Sequence, residues 1–231
     1  MDGQQQEQFE WPPLESNPEV FTNYMHQTGM SKDWAIGEVF GFDEELLAFL
    51  PQPIIGVIVN MERLKKEEDV AKGNEADVNK VAYYQKQEGK LDNACGVIAC
   101  LHAIYNNLDR VNLEQDSVLQ KFWDQVKDKS PADRASDLEN FKDFQEKHKG
   151  FAAQGQSDAA QTQGDVKHHF IAFVVNKDKQ LIELDGTKKG PVVIEENVED
   201  VLRATIKEIQ KRLAAGEISE SLSMMTLNAS G

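Results

Sequence analysis

Cysteine is scarce in this chain of 231 residues: there are two, Cys95 and Cys100. They lie five positions apart in a stretch that reads as helix. At about 100° per residue that spacing sets them on different faces, so no disulfide between them is expected. No C-x-x-C pair and no Cys/His metal spacing occurs, and free thiols fit a reducing compartment. Long apolar runs are missing too, so no membrane span is expected. Residues 1–10 are polar and glutamine-rich, without the apolar centre of a secretory signal. A cytoplasmic protein, one that also reaches the nucleus, is therefore expected. Positive charge is in deficit: 25 Lys and Arg stand against 40 Asp and Glu, for a formal net charge of −15. Such a surface repels phosphate backbones, which argues against nucleic acid as a partner. It serves solubility or the steering of a basic partner.

What is present suffices for a packed interior. Hydrophobic residues make up 40% and aromatics 8%, and the length fits one domain over 11–231 behind a loose tail at 1–10. Ser16 or Asn17 can cap a helix starting near Pro18, and Asp43 precedes a short helix stopped by Pro51. The β-branched run 54–59 predicts a buried strand. Residues 65–77 read as an exposed loop, and 81–85 as a strand or loop arm. Val97, Ile98, Leu101, Ile104 and Tyr105 recur at helical spacing and predict a helix over 95–108. Further helices are predicted over 113–126, 132–147 and 198–213, and strands over 168–175 and 181–184. Residues 150–163 read as a mobile loop and 222–227 as an apolar tail. The mixture is an α/β pattern with its strands in one sheet.

Chemistry concentrates around Cys95. It precedes the apolar helix, where free N–H groups and partial positive charge lower a thiol pKa. Cys100 falls inside the helix and reads as core, and the alternative for Cys95 is likewise a small buried hydrophobe. A thiolate nucleophile needs a base. Among five histidines, His148 at a lysine-rich helix end reads as solvated, His102 as structural, and His26 has no acidic or thiol neighbour in view. His169 shares a strand face with Ile171, Phe173 and Val175. If 176–178 is a three-residue loop, His169 falls opposite Asp185, close enough for the carboxylate to hold one imidazole tautomer. The alternative is an aspartate in an Asp-Gly turn. Gln87 and the Cys95 backbone N–H are candidate donors to an oxyanion.

Several separated motifs, in order, resemble the ubiquitin carboxyl-terminal hydrolase family. They are residues 11–20 (Trp-Pro-Pro-Leu-Glu-Ser-Asn-Pro-Glu-Val), Glu45-Leu46-Leu47 with Pro51-Gln52-Pro53, Asn93-Ala94-Cys95-Gly96, Leu101-His102-Ala103-Ile104, Asp133-Arg134-Ala135, His169-Phe170-Ile171-Ala172 and Glu183-Leu184-Asp185-Gly186. The resemblance implies a papain-like α/β fold, a central antiparallel sheet flanked by helices with a knotted backbone. It implies that Cys95 is nucleophile, His169 base, Asp185 its orienter and Gln87 the oxyanion donor. It also implies an active-site crossover loop near 150–166, which selects small adducts and short extensions on ubiquitin. Leu14, Glu15, Glu19 and Glu38 match positions that contact ubiquitin. No metal or organic cofactor is implied, and a monomer is expected. The stretch from Gln87 to Cys95 is two residues longer than the family's pattern, the His169–Asp185 hairpin is one longer, and the tail after Arg212 lacks the family's charged motif. Two other readings stand beside this one: a ubiquitin-holding protein with little catalysis, which the longer Gln87–Cys95 stretch motivates, and a hydrolase preferring a ubiquitin-like modifier.

Overall fold

The computed structural model describes residues 9–65, 73–152 and 168–231. In chain order its elements are α1 (Pro18–Thr28), β1 (Trp34–Glu38), α2 (Glu44–Leu47), β2 (Ile54–Arg63), a 3₁₀ turn (Glu75–Lys80), α3 (Cys95–Tyr105), α4 (Val118–Val126), α5 (Pro131–Asn140), α6 (Lys142–Ala152), β3 (His168–Val175), β4 (Leu181–Leu184), β5 (Val192–Glu195), α7 (Val201–Ala214) and β6 (Ile218–Ala229).

Local chemistry sets most helix ends. The Asn17 side chain accepts the N–H groups of Glu19 and Val20 at 2.9 and 3.3 Å, and Pro18 takes the first turn. Ser117, Ser130 and Asp200 cap α4, α5 and α7 in the same way. The predicted helix over 132–147 is two helices, because Phe141 adopts extended geometry (ψ 97°) between α5 and α6. The helix predicted from 113 begins at Val118, since Leu113 instead forms an isolated bridge with Met30.

The strands form one six-stranded antiparallel sheet in the order β1-β6-β2-β3-β4-β5. Alternate residues of the strands feed two apolar cores. Ile58, Phe170, Ala172 and Val174 pack with α3, and Val57, Val59, Ile171 and Phe173 pack with α7. All eleven residues of α3 are buried, as an apolar helix enclosed on every side requires. This is the expected papain-like arrangement of a curled antiparallel sheet between helices. The residues read as an apolar tail are part of β6, which lies between β1 and β2. Residues 81–85 form no strand, although Tyr83 and Tyr84 are fully buried. The tail at 1–8, most of the charged loop (66–72) and the crossover segment beyond Ala152 (153–167) lie outside the described residues, and with them the expected knot. Residues 150–152 belong to α6 rather than to a loop.

The candidate active site

Cys95 is the first residue of α3, and no side chain caps that helix end. The N-terminal N–H groups are thus left to the thiol and whatever it binds. The sulfur faces the His169 imidazole and the backbone N–H groups of Gly96 and Phe170. Burial would raise its pKa. The hydrogen bond and charge of His169, aided by the two backbone groups, outweigh burial and lower it. Cys100 is a core thiol, pushed up by burial.

His169 Nε2 donates to Asp185 Oδ1 at 2.8 Å, which leaves Nδ1 for Cys95. Asp185 is enclosed: its side chain has no exposed surface, and His169 keeps 14%. Burial alone would lower the pKa of His169. The bonds to Asp185 and Cys95 and the charge of Asp185 overcome this and raise it to about 9. Asp185, despite burial, is held well below the usual carboxylate range by His169, Arg63 and Lys188. The shifts of Cys95 and His169 both run in the direction of a thiolate–imidazolium pair.

The hairpin reaches this geometry by a register other than the predicted one. Asn176 bridges its turn, its side-chain oxygen accepting the N–H groups of Asp178 and Gln180 at 3.1 and 2.9 Å, while Lys179 takes a positive φ of 57°. The connection therefore spans 176–180, and Phe173 rather than Ile171 pairs with Glu183. The slip is two residues, which preserves the face of every side chain. His169 and Asp185 meet diagonally beyond the last ladder pair, Ala172 with Leu184.

Gln87 reaches the site through Gly186. Its N–H donates to the Gly186 carbonyl at 2.8 Å, and a Cβ on Gly186 would stand 2.9 Å from the Gln87 backbone nitrogen. Only glycine allows that approach beside Asp185. The Gln87 amide donates to the Asp92 carbonyl at 2.9 Å, so the stretch before Cys95 folds back on the glutamine. Behind the site, Tyr84 OH lies 2.7 Å from the Asp185 carbonyl, and its ring stacks on His102 with centroids 5.3 Å apart. His102 is structural, as expected: burial lowers its pKa to about 4, and it accepts the Gln85 N–H at 3.1 Å. His26 meets the Trp34 carbonyl at 2.7 Å. His148 departs from the solvated reading. It is fully buried, with Nε2 at 2.6 Å from the Pro12 carbonyl and its ring 4.8 Å from that of Trp11. The packed aromatic Trp11 explains the difference, because α6 must close over the entering chain.

A cavity of about 310 Å³ opens beside the thiol, with Leu14, Asn60, Asp92, Cys95 and His169 in its wall. A larger one, about 710 Å³, lies at the opposite end of the sheet around Asn176 and Arg110 and contains neither the thiol nor His169. Leu14 is buried, whereas Glu15, Glu19 and Glu38 are exposed on the segment entering α1, its first turn and the end of β1. Arg63, which sequence reasoning passed over, donates to Asp185 Oδ2 from the end of β2. Its only signal was a cation closing an apolar strand. Among the described residues no group of His, Cys, Asp and Glu gathers to hold a metal ion.

Comparison with known proteins bears on the family and the fold. The ubiquitin carboxyl-terminal hydrolase, family 1, model matches residues 11–214. A ubiquitin carboxyl-terminal hydrolase of Drosophila melanogaster is 36% identical over 189 residues, covering 79% of this chain and 81% of that protein. One of Aplysia californica is 34% identical over 206 residues, covering 89% and 95%. The structure of the Trichinella spiralis UCH37 catalytic domain bound to ubiquitin vinyl methyl ester superposes with a TM-score of 0.77 over 96% of both chains, at 24% identity. From the match over 11–214 and these relatives, the chain belongs to the ubiquitin carboxyl-terminal hydrolase family, whose members are cysteine-type hydrolases.

Proposed function

We propose that this deubiquitinating hydrolase acts through a Cys95–His169–Asp185 triad and removes small adducts and short extensions from the C-terminal glycine of ubiquitin. One observation supports the triad most: His169 stands between a thiol at a helix N-terminus and a fully buried carboxylate 2.8 Å away. The thiolate of Cys95 attacks the carbonyl of ubiquitin's last glycine. As the C–N bond breaks, His169 gives its proton to the leaving amine. Water then attacks the thioester and passes a proton to His169. The C–S bond breaks, and the thiolate–imidazolium pair is restored. The Cys95 N–H and the second Gln87 amide hydrogen are the donors for the oxyanion. The cavity of about 310 Å³ suits a thin peptide and a small leaving group better than a folded one. Leu14 would pack on the entering peptide. Glu15, Glu19 and Glu38 would meet basic residues of ubiquitin, each pair contributing under about 1 kcal/mol at an exposed surface. The free thiols suit a reducing compartment, cytoplasm or nucleus.

Release of a fluorescent amine from the ubiquitin C-terminus tests this reading. Wild type turns over, and Cys95→Ala loses all measurable turnover yet still binds ubiquitin. Undiminished turnover in the variant excludes Cys95 as nucleophile. The Gln87–Asp92 bond supports a second reading, a ubiquitin-holding protein with slow chemistry. A thiol-reactive ubiquitin probe that binds without bonding to Cys95 would favour it, and parallel kinetics with a ubiquitin-like modifier would expose a different preference.

A further inference from the structure

Arg63 ends β2, outside every motif that pointed to the site. Its guanidinium donates to Asp185 Oδ2, the carboxylate oxygen that His169 leaves free. Its other arm lies 3.4 Å from the Thr187 hydroxyl, which itself donates to Asp185 Oδ1 at 2.8 Å; the Thr187 N–H reaches the same oxygen at 3.0 Å. Both oxygens are thus held, and rotation of the carboxylate would break bonds on each side. A planar guanidinium suits this task better than a point charge. The Arg63 side chain keeps 21% of its surface exposed while that of Asp185 keeps none, so the cation stands between the carboxylate and solvent.

On the triad reading above, we propose that Arg63 is a positioning residue, which locks the plane of the Asp185 carboxylate toward His169 and, as a second cation beside the imidazolium, sets the alkaline limit of the thiolate–imidazolium pair. Charges reach this centre from several elements. Asp185 and Cys95 favour the imidazolium, and Arg63 opposes it. Lys188 acts on Asp185 from the following turn, Glu183 lies two residues before it on β4, and His102 and Tyr84 stand behind it. Asp185 alone would therefore hold the proton on His169 to higher pH than the pair does with Arg63 in place.

Arg63→Gln and Arg63→Lys test this in the full chain, by NMR titration of His169 and by the pH profile of kcat/KM for amine release from ubiquitin. In Arg63→Gln the His169 titration and the alkaline limb both move up by about one pH unit, as loss of a neighbouring charge predicts. Its kcat falls while KM holds. Arg63→Lys keeps the limb in place but loses kcat, because its ammonium cannot fork across the site. An arginine that only supports the fold would lower the melting temperature and leave titration and limb unmoved, which overturns the proposal. If Arg63→Gln does not fold, Arg63→Lys decides: a displaced limb or an unchanged kcat overturns it. Wild type without turnover, but with a His169 titration that moves in Arg63→Gln, overturns the hydrolase reading and leaves Arg63 standing. Turnover with an unmoved titration does the reverse.

Discussion

Two carboxylates, Glu183 on β4 and Asp185 just beyond it, are both about 1% exposed, and both are saturated with partners. Glu183 meets Lys188 with one oxygen and Arg212 of α7 with the other. Arg212 also bonds Glu208 at 2.8 Å and lies 5.7 Å from the centre of the Phe173 ring. Asp185 meets Arg63, Thr187 and His169. The decisive difference is the partner. Against the pull of burial, Glu183 and Glu208 raise the pKa of the arginine further, so it stays charged throughout the physiological range and Glu183 is a permanent clamp between β4 and α7. Histidine can give its proton up, so the same kind of buried carboxylate becomes part of a reaction centre at Asp185.

Asp185→Asn should produce the largest effect. The amide keeps the shape but no longer stabilises the imidazolium, and kcat should fall by about 10²–10⁴. The alkaline limb should move down from about 9, because the Asp185 bond and charge are what raise His169 against its burial. A pH profile of kcat/KM reads both. An unshifted limb would mean that His169 owes its raised pKa to another group.

Glu183→Gln should fail in the complementary way. It leaves Lys188 and Arg212 enclosed without their shared counter-charge, which costs about 3–5 kcal/mol for a broken buried pair. Urea unfolding measures this, while the folded fraction should keep the kcat of wild type. Should activity fall as far as in Asp185→Asn, the two carboxylates act as one network and the contrast between them collapses.

The sequence made the chemistry more legible than the sheet. Cys95 at the head of an apolar helix, and His169 and Asp185 across a hairpin, are local patterns. The three-residue loop was the wrong turn, since Asn176 supports a longer one, but an even slip returns each side chain to its face. β6 was read as a tail because 219–221 is polar and its apolar end carries Met224 and Met225 in place of β-branched residues. Its pairing with β1 and β2 joins segments more than 150 residues apart, which no local pattern encodes. β1 escaped notice for its shortness and for Gly37, where a Cβ would stand 2.6 Å from Asn228 Oδ1. Arg63 was illegible for the same reason as β6: its partner is 122 positions away.

The smallest effect separates the carboxylates from the buried histidines in mild acid. Burial holds the pKa of both His102 and His148 at about 4, below the ordinary 6.5. The unfolded chain therefore takes up protons there that the folded chain refuses. Stability is full above pH 6.5 and is lost as pH falls toward 4. Glu183 and Asp185 are also shifted down, but the unfolded carboxylates begin to take up protons only below about pH 5, so they add little between pH 7 and pH 5. At pH 5 each histidine should cost about 1–2 kcal/mol relative to pH 7. His148→Phe keeps a ring against Trp11 and Tyr24 but removes one titrating group, at the expense of the bond to the Pro12 carbonyl. Urea midpoints at pH 7 and pH 5 should then differ by about half as much as in wild type. An undiminished difference would shift the acid sensitivity from the histidines to the carboxylate clusters, Glu183 and Asp185 among them.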